Sequence, residues 1–128
     1  YMPNLRNYFS ESFDVIFSNQ VLYFLNDVDI KNICKQFLEL LKPNGVFFAT
    51  MVSPKCVYQK YVESKNGEMS RVVLNGRVTE IINVNIKTEK EVLDIFSGFK
   101  KTHFGYYDVN FTKEDESSHH WIFIGRKE

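Results

Sequence analysis

One stretch constrains the fold more than any other. Phe13-Asp14-Val15-Ile16-Phe17-Ser18-Asn19 is a short apolar run with polar ends. Ile30, Ile33, Cys34, Phe37, Leu38 and Leu41 follow at helical spacing, on one face. Lys42-Pro43-Asn44-Gly45 interrupts them, and Val46 to Val52 is apolar throughout. Continuous apolar runs suit strands covered on both faces, as in a parallel sheet. The pattern therefore predicts strand, helix and strand, a βαβ unit whose crossover is right-handed. Asn26 or Asp27 can cap the helix by accepting from a free N–H of its first turn. Its end is marked by a cation, a ring that cannot continue the helix, and Gly45, free to take positive φ.

Further along, Ser53-Pro54 is read as the cap of a short helix through Tyr61, with Pro at its first position. Asn75-Gly76, between the β-prone runs 71–74 and 77–81, predicts a hairpin with a type I′ turn. Thr88-Glu89-Lys90-Glu91 is a capping box for a helix carrying Val92, Leu93, Phe96 and Phe99. Two more strands, over 101–111 and 119–126, complete an α/β order with an antiparallel end.

Composition narrows the function. The 128 residues carry 16 Lys+Arg against 16 Asp+Glu, a balance that argues against nucleic-acid binding. No apolar run approaches the ~18–20 residues that span a bilayer, and no signal peptide opens the chain, so no membrane partner is expected. Two cysteines do not make a disulfide framework. A reducing, cytoplasmic setting is expected. Cys34 reads as core, His103 as surface, Trp121 as core, and the 12 Phe and 7 Tyr mainly as sheet packing. No metal site is expected.

The run from Ser12 through Phe13-Asp14-Val15-Ile16 to Leu25, a helix, then Leu40-Leu41-Lys42-Pro43-Asn44-Gly45 resembles the second half of a class I S-adenosylmethionine-dependent methyltransferase. In that family the fourth strand reads like "s-F-D-v-I" and the fifth is announced by "L-K-P-G-G". Here Asn44 replaces the first glycine of that motif, at a position where positive φ is tolerated. The resemblance covers residues 10–128 in order, the final hairpin corresponding to strands six and seven. It implies an α/β fold: a partial Rossmann-like methyltransferase sheet with a β-hairpin insertion. Residues 1–128 are then the C-terminal portion of a methyltransferase domain, and 53–86 its substrate-side insertion. Tyr1 in place of Met fits a piece of a longer protein.

The family's Gly-rich cofactor loop and its ribose-binding acid have no counterpart in these 128 residues, which contain no G-x-G. The expectation is that this chain alone neither methylates nor binds S-adenosylmethionine at micromolar concentration. Ligands of open α/β sheets sit beyond the carboxyl ends of the strands. The resemblance places Ser18, Asn19, Gln20 and Tyr23 at the cofactor's methionine end, and Met2 by the adenine. Topology brings Thr50, Met51, Ser53, His119 and His120 to the same rim. His119 and His120 are the candidate bases, His being suited to that work at neutral pH. Neighbours on a strand point opposite ways, so at most one of them faces the site.

The expected activity is methyl transfer to a small-molecule acceptor. The alternative is a binding or assembly module, self-associating through an exposed Val15–Phe17 strand edge. Both readings require the strands at Asp14 and Val46 to be adjacent and parallel.

Overall fold

The computed structural model describes residues 4–9, 12–110 and 116–128. Strand β1, Phe13–Ser18, is followed by helix α1, Asp27–Leu40, and strand β2, Leu41–Val52. Strands β3, Val62–Asn66, β4, Met69–Asn75, and β5, Thr79–Asn85, come next. Helix α2, Glu89–Ile95, and strands β6, Lys100–Tyr107, and β7, His120–Arg126, complete the order.

Strands β1 and β2 are adjacent and parallel, with Val15 opposite Val46 and Ser18 opposite Ala49. The main sheet runs β1-β2-β7-β6, with β7 antiparallel to both of its neighbours. The βαβ unit and the antiparallel end thus stand as expected. The segment after β2 differs from the single hairpin the sequence suggested. Val62–Asn66 adds a third strand, giving a separate antiparallel sheet β3-β4-β5.

Local chemistry explains the element ends. Asn26 caps α1, its Oδ1 accepting from the Asp29 N–H at 2.8 Å. The capping box at Thr88 is closed in both directions, at 2.9 and 3.3 Å. Positive φ at the "L-K-P-N-G" turn falls on Asn44, at 64°, and not on Gly45 as expected. Gly45 is needed for another reason: a Cβ there would lie 2.8 Å from the Lys42 carbonyl oxygen and 2.9 Å from Leu41 Cδ2. The type I′ turn is also corrected. Asn75 pairs with Thr79 across a three-residue loop, and neither Asn75 nor Gly76 takes positive φ. Ser53 caps no α-helix; a 3-10 turn spans Val57–Tyr61 and starts from Cys56 without a side-chain cap.

The core lies on one face of the main sheet. Phe47 is fully buried and stacks on Phe99 at 4.3 Å, with Phe37 of α1 and Phe96 at the end of α2 also against it. Cys34 is buried as predicted, His103 is exposed, and Trp121 is partly buried, donating from Nε1 to the Lys87 carbonyl at 2.8 Å. The opposite face is where the two-sided expectation for β1 fails. Val15 is 55% and Phe17 64% exposed, with Phe17 stacked on Phe48. Both helices pack on the Phe47 side, so among the described residues β1 is an edge strand covered on one face.

An ion pair with one buried partner ties the end of β5 to the start of α1. Lys87, 3% exposed, follows β5 and donates from Nζ to Asp27 Oδ1 at 2.8 Å, at the start of α1. Asn85 Nδ2 donates to the same oxygen at 2.8 Å, and the Asp27 N–H donates to Glu68 Oε1 at 2.9 Å. Burial pushes the Asp27 carboxyl up, but the Lys87 and Asn85 hydrogen bonds and the Lys87 charge bring it below its usual value. The exposed Asp14–Lys42 pair, at 3.6 Å, is of the kind that adds little to stability. No helix of the described chain is long and apolar enough to cross a membrane.

Candidate functional site

The carboxyl ends of β1 and β2 and the start of β7 meet at one rim. Ser18 closes β1 and is buried, while Asn19 and Gln20 are exposed beyond it. Gln20 has φ 57°, a backbone conformation that a non-glycine residue holds only when its surroundings enforce it. The enforcement is visible. Its N–H donates to Thr50 Oγ1 of β2 at 2.8 Å, and the Thr50 hydroxyl donates to Asn19 Oδ1 at 3.2 Å. Gln20 Nε2 then reaches the far side of the rim and donates to the Tyr107 hydroxyl at 2.8 Å.

Tyr107 lies flat against His120, with ring centroids 5.0 Å apart and planes 3° from parallel. The pair follows from register, since Tyr107 of β6 sits opposite His120 of β7. Tyr23, buried in the 3-10 turn Leu22–Phe24, approaches the same imidazole at 5.6 Å. Burial raises the Tyr23 hydroxyl to about 12, reinforced by the neighbouring Tyr58, Tyr107 and Cys56 groups. Tyr58 and Cys56 are raised too, each first by burial. Tyr23, Tyr58 and Cys56 therefore stay uncharged at neutral pH.

The two histidines differ. His119 Nδ1 is 2.5 Å from Ser53 Oγ, and both residues are buried. Ser53 Oγ already accepts from the Lys55 N–H at 3.1 Å, which leaves its hydroxyl proton free for His119. His119 also stacks on Tyr106 and meets Trp121 edge-on. His120 Nδ1 lies 2.6 Å from the Ser118 carbonyl oxygen, which can only accept. His120 therefore carries its proton on Nδ1, and Nε2 holds a lone pair. That Nε2 is buried and has no hydrogen-bond partner among the described residues. An unmade bond at a buried polar atom costs about 1–3 kcal/mol. Burial lowers the pKa of both histidines; the Ser118 hydrogen bond and Asp108 oppose this at His120 without overcoming it.

The structure thus brings Ser18, Asn19, Gln20, Tyr23, His119 and His120 to one rim. The alternation argument holds: His119 shares a side with Trp121, and His120 lies with Tyr107 and Tyr23. Met2 lies outside the described residues. Sequence reasoning missed Tyr107 and Tyr58, which it assigned to packing or left unremarked. Strand register was the signal for Tyr107. Tyr58 carried none, because its 3-10 turn has no periodicity to read.

For the methyl-bearing end of the cofactor, the donor set fits. A sulfonium cation is favoured by aromatic faces and by amide and hydroxyl oxygens, and Tyr23, Tyr107, Asn19 and Thr50 supply these at the rim. No cluster of His, Cys, Asp or Glu suited to a metal occurs among the described residues.

Comparison with known proteins bears on the fold. A sequence model of the methyltransferase domain matches residues 3–49. No curated protein sequence matches. Among solved structures, a S-adenosylmethionine-dependent methyltransferase from Methanosarcina mazei is similar with TM-score 0.70 and 18% identity, over 91% of this chain and 60% of that one. Another from Clostridium acetobutylicum gives TM-score 0.64 at 13% identity, over 92% of this chain and 59% of that one. The N-methyltransferase NodS from Bradyrhizobium japonicum, in complex with S-adenosyl-L-homocysteine, gives TM-score 0.55 at 13% identity, over 93% of this chain and 48% of that one. The chain spans about half to six-tenths of the length of these structures. Its residues 3–49 match the sequence model of a methyltransferase domain, and the chain as a whole has part of the fold of the class I S-adenosylmethionine-dependent methyltransferases.

Proposed function

We propose that this chain belongs to an enzyme that moves a methyl group from S-adenosylmethionine to a small-molecule acceptor at the rim described above. The observation that carries the reading is the turn after β1. Gln20 is held at φ 57° with its N–H on Thr50, in a stretch whose sequence matches a methyltransferase domain. When bound, S-adenosylmethionine supplies an electrophilic methyl on a sulfonium. Ser18, Asn19, Gln20 and Tyr23 border its methionine end, and residues 1–128 form the C-terminal portion of the domain. Residues 53–86 are the substrate-side insertion, bringing Tyr58 and Cys56 near Tyr23. His120 Nε2 takes the acceptor's proton, while His119, bonded to Ser53, positions the start of β7. The two free, buried cysteines fit a cytoplasmic setting.

The test is transfer of label from S-adenosylmethionine, radioactive at its methyl, by the intact protein that contains this chain. Small neutral acceptors are expected to be labelled. Absence of both label transfer and cofactor binding in the intact protein would overturn the reading.

A second reading rests on the free edge of β1 and its exposed Val15 and Phe17. An uncovered apolar edge strand pairs with another, and self-association of this chain through Val15–Phe17 follows. Sedimentation of the chain should show concentration-dependent dimers, lost in Phe17→Lys. A monomer at every concentration excludes this mode of association.

A further inference from the structure

We infer that Asn85 is a positioning residue for the rim: it fixes the turn that carries Tyr23 against the start of β7, an inference that rests on methyl transfer at the same rim. Asn85 closes β5 and is fully buried. Its Nδ2 donates to the Leu25 carbonyl at 3.1 Å and to Asp27 Oδ1 at 2.8 Å. Both partners only accept, so both amide protons are spent and the orientation of the amide follows.

Leu25 ends the 3-10 turn Leu22–Phe24, and its N–H donates to the Leu22 carbonyl at 3.0 Å. Its amide is thus tied into the turn and its carbonyl to Asn85. Tyr23 stands two residues before it, 5.6 Å from the His120 ring. Asp27 opens α1. One side chain of β5 therefore holds the chain on both sides of Asn26.

The segment that leaves β5 is fixed to the sheet two residues on. The Lys87 N–H donates to the Val52 carbonyl at 3.0 Å, and the Trp121 indole N–H donates to the Lys87 carbonyl at 2.8 Å. Val52 stands opposite His120 in the pairing of β2 with β7, and Trp121 follows His120 in β7. Residues 85–87 thus join the Tyr23 turn to the residues that flank His120. They set the separation of these two rings from outside the pair. The arrangement carries a cost. Asn85 Oδ1 is buried with no hydrogen-bond partner among the described residues, an unmade bond that an apolar side chain would avoid. Departures of this kind from the rules of core packing are tolerated where a site needs a particular geometry. Methyl transfer has that need, since a misplacement of about 1 Å caused far from the chemistry can cost about 10²-fold in rate.

The test uses the intact protein, with label transfer from S-adenosylmethionine, urea unfolding and nitrogen-15 NMR of the His120 ring and Trp121 indole. Asn85→Leu keeps the volume and removes both donors. Its kcat/KM should fall about tenfold or more, and the His120 signals should move as Tyr23 shifts against the ring. Asp27→Asn is the control. It keeps an oxygen acceptor for Asn85 and Lys87 but leaves the buried ammonium without its counter-charge. Its urea midpoint should therefore drop, while kcat/KM stays within about threefold of wild type. Should Asn85→Leu not fold, Asn85→Ser takes its place, with one donor on a shorter arm and an expected loss of about threefold or more. An Asn85 variant with wild-type kcat/KM overturns the inference. So does a loss of kcat/KM in Asp27→Asn as large as in the Asn85 variant, which would make the role structural only. Moved His120 signals in an Asn85 variant, in a protein that transfers no methyl group, would keep the positioning role and overturn methyl transfer. Transfer at the wild-type rate by that variant would do the reverse.

Discussion

Replacing His120 by asparagine will slow methyl transfer by about 10²–10⁴-fold, the usual worth of a positioned general base. The size follows from what is removed and what is kept. Asparagine places an amide N–H close to where Nδ1 donates to the Ser118 carbonyl, so the start of β7 keeps its anchor. The lone pair of Nε2 is lost. Ser18, Asn19 and Gln20 are untouched, so the cofactor's KM should stay within about twofold while kcat falls, the pattern expected when only a transition-state interaction is removed. The pH profile separates this from a structural defect. Burial holds His120 below the usual imidazole value of 6.5, so kcat/KM should rise with pH through a midpoint under 6.5 and then level off. The groups that bear on that titration are Asp108, His119, Tyr23 and Tyr107. The variant should lack that step. An unchanged wild-type-like profile in the variant would remove His120 from the chemistry.

Stability should respond to the same histidines, with a sign fixed by the direction of their shifts. Both are lowered in the fold, His119 and His120 alike first by burial. The unfolded chain therefore binds more protons below 6.5, and stability falls as pH drops from there toward the folded-state values. Asp27 acts at a lower pH. Its carboxyl is held below the usual 3.8, so its contribution is present above that value and lost as pH falls through the folded one.

How far the sequence reached depends on which forces set each feature. The βαβ unit was legible because hydrophobic spacing carries it: Ile30, Ile33 and Cys34 are buried where the helical period puts them. Caps were legible because one side chain decides them, as at Asn26 and Thr88. The Asn75-Gly76 turn was misjudged because strand register, set by Val72 opposite Ile82, outweighed the local preference of two residues. At the "L-K-P-N-G" turn the conformational demand fell one residue early, on Asn44, while Gly45 was fixed by a close carbonyl. The rim residues near β1 were legible through resemblance and topology. Tyr107 was not, since its role depends on standing opposite His120 in a strand pairing that spacing alone does not reveal. The Lys87–Asp27 pair joins residues far apart in sequence, and nothing local marks a lysine for burial.

Phe47→Ala will cost the fold about 3–5 kcal/mol, the range for a buried phenylalanine reduced to a methyl. Phe47 is the hub of the packed face. It is 0% exposed, stacks on Phe99 with planes 17° apart, and takes Phe96 edge-on at 5.4 Å. Phe37 at 5.6 Å and Phe123 at 6.2 Å complete the cluster, which joins both helices to β2 and β7. Each such ring pair adds about 0.5–1.5 kcal/mol beyond area, so the upper half of the range is expected. The neighbourhood is already tight, since a Cβ at Gly125 would lie 2.8 Å from Phe123 Cε1 and 2.9 Å from Phe99 Cβ. Phe17 supplies the control. It stacks on Phe48 at 4.4 Å but is 64% exposed on the open face. Phe17→Ala should cost less than about 1 kcal/mol, since little transfer energy is lost and no cavity is left. Urea unfolding measures both, and an unchanged m-value would place the effects in the native state. Similar losses in the two variants would mean that the β1 face is as deeply covered as the core. Phe17 would then be buried in the assembled protein, and the edge-strand reading of β1 would not hold.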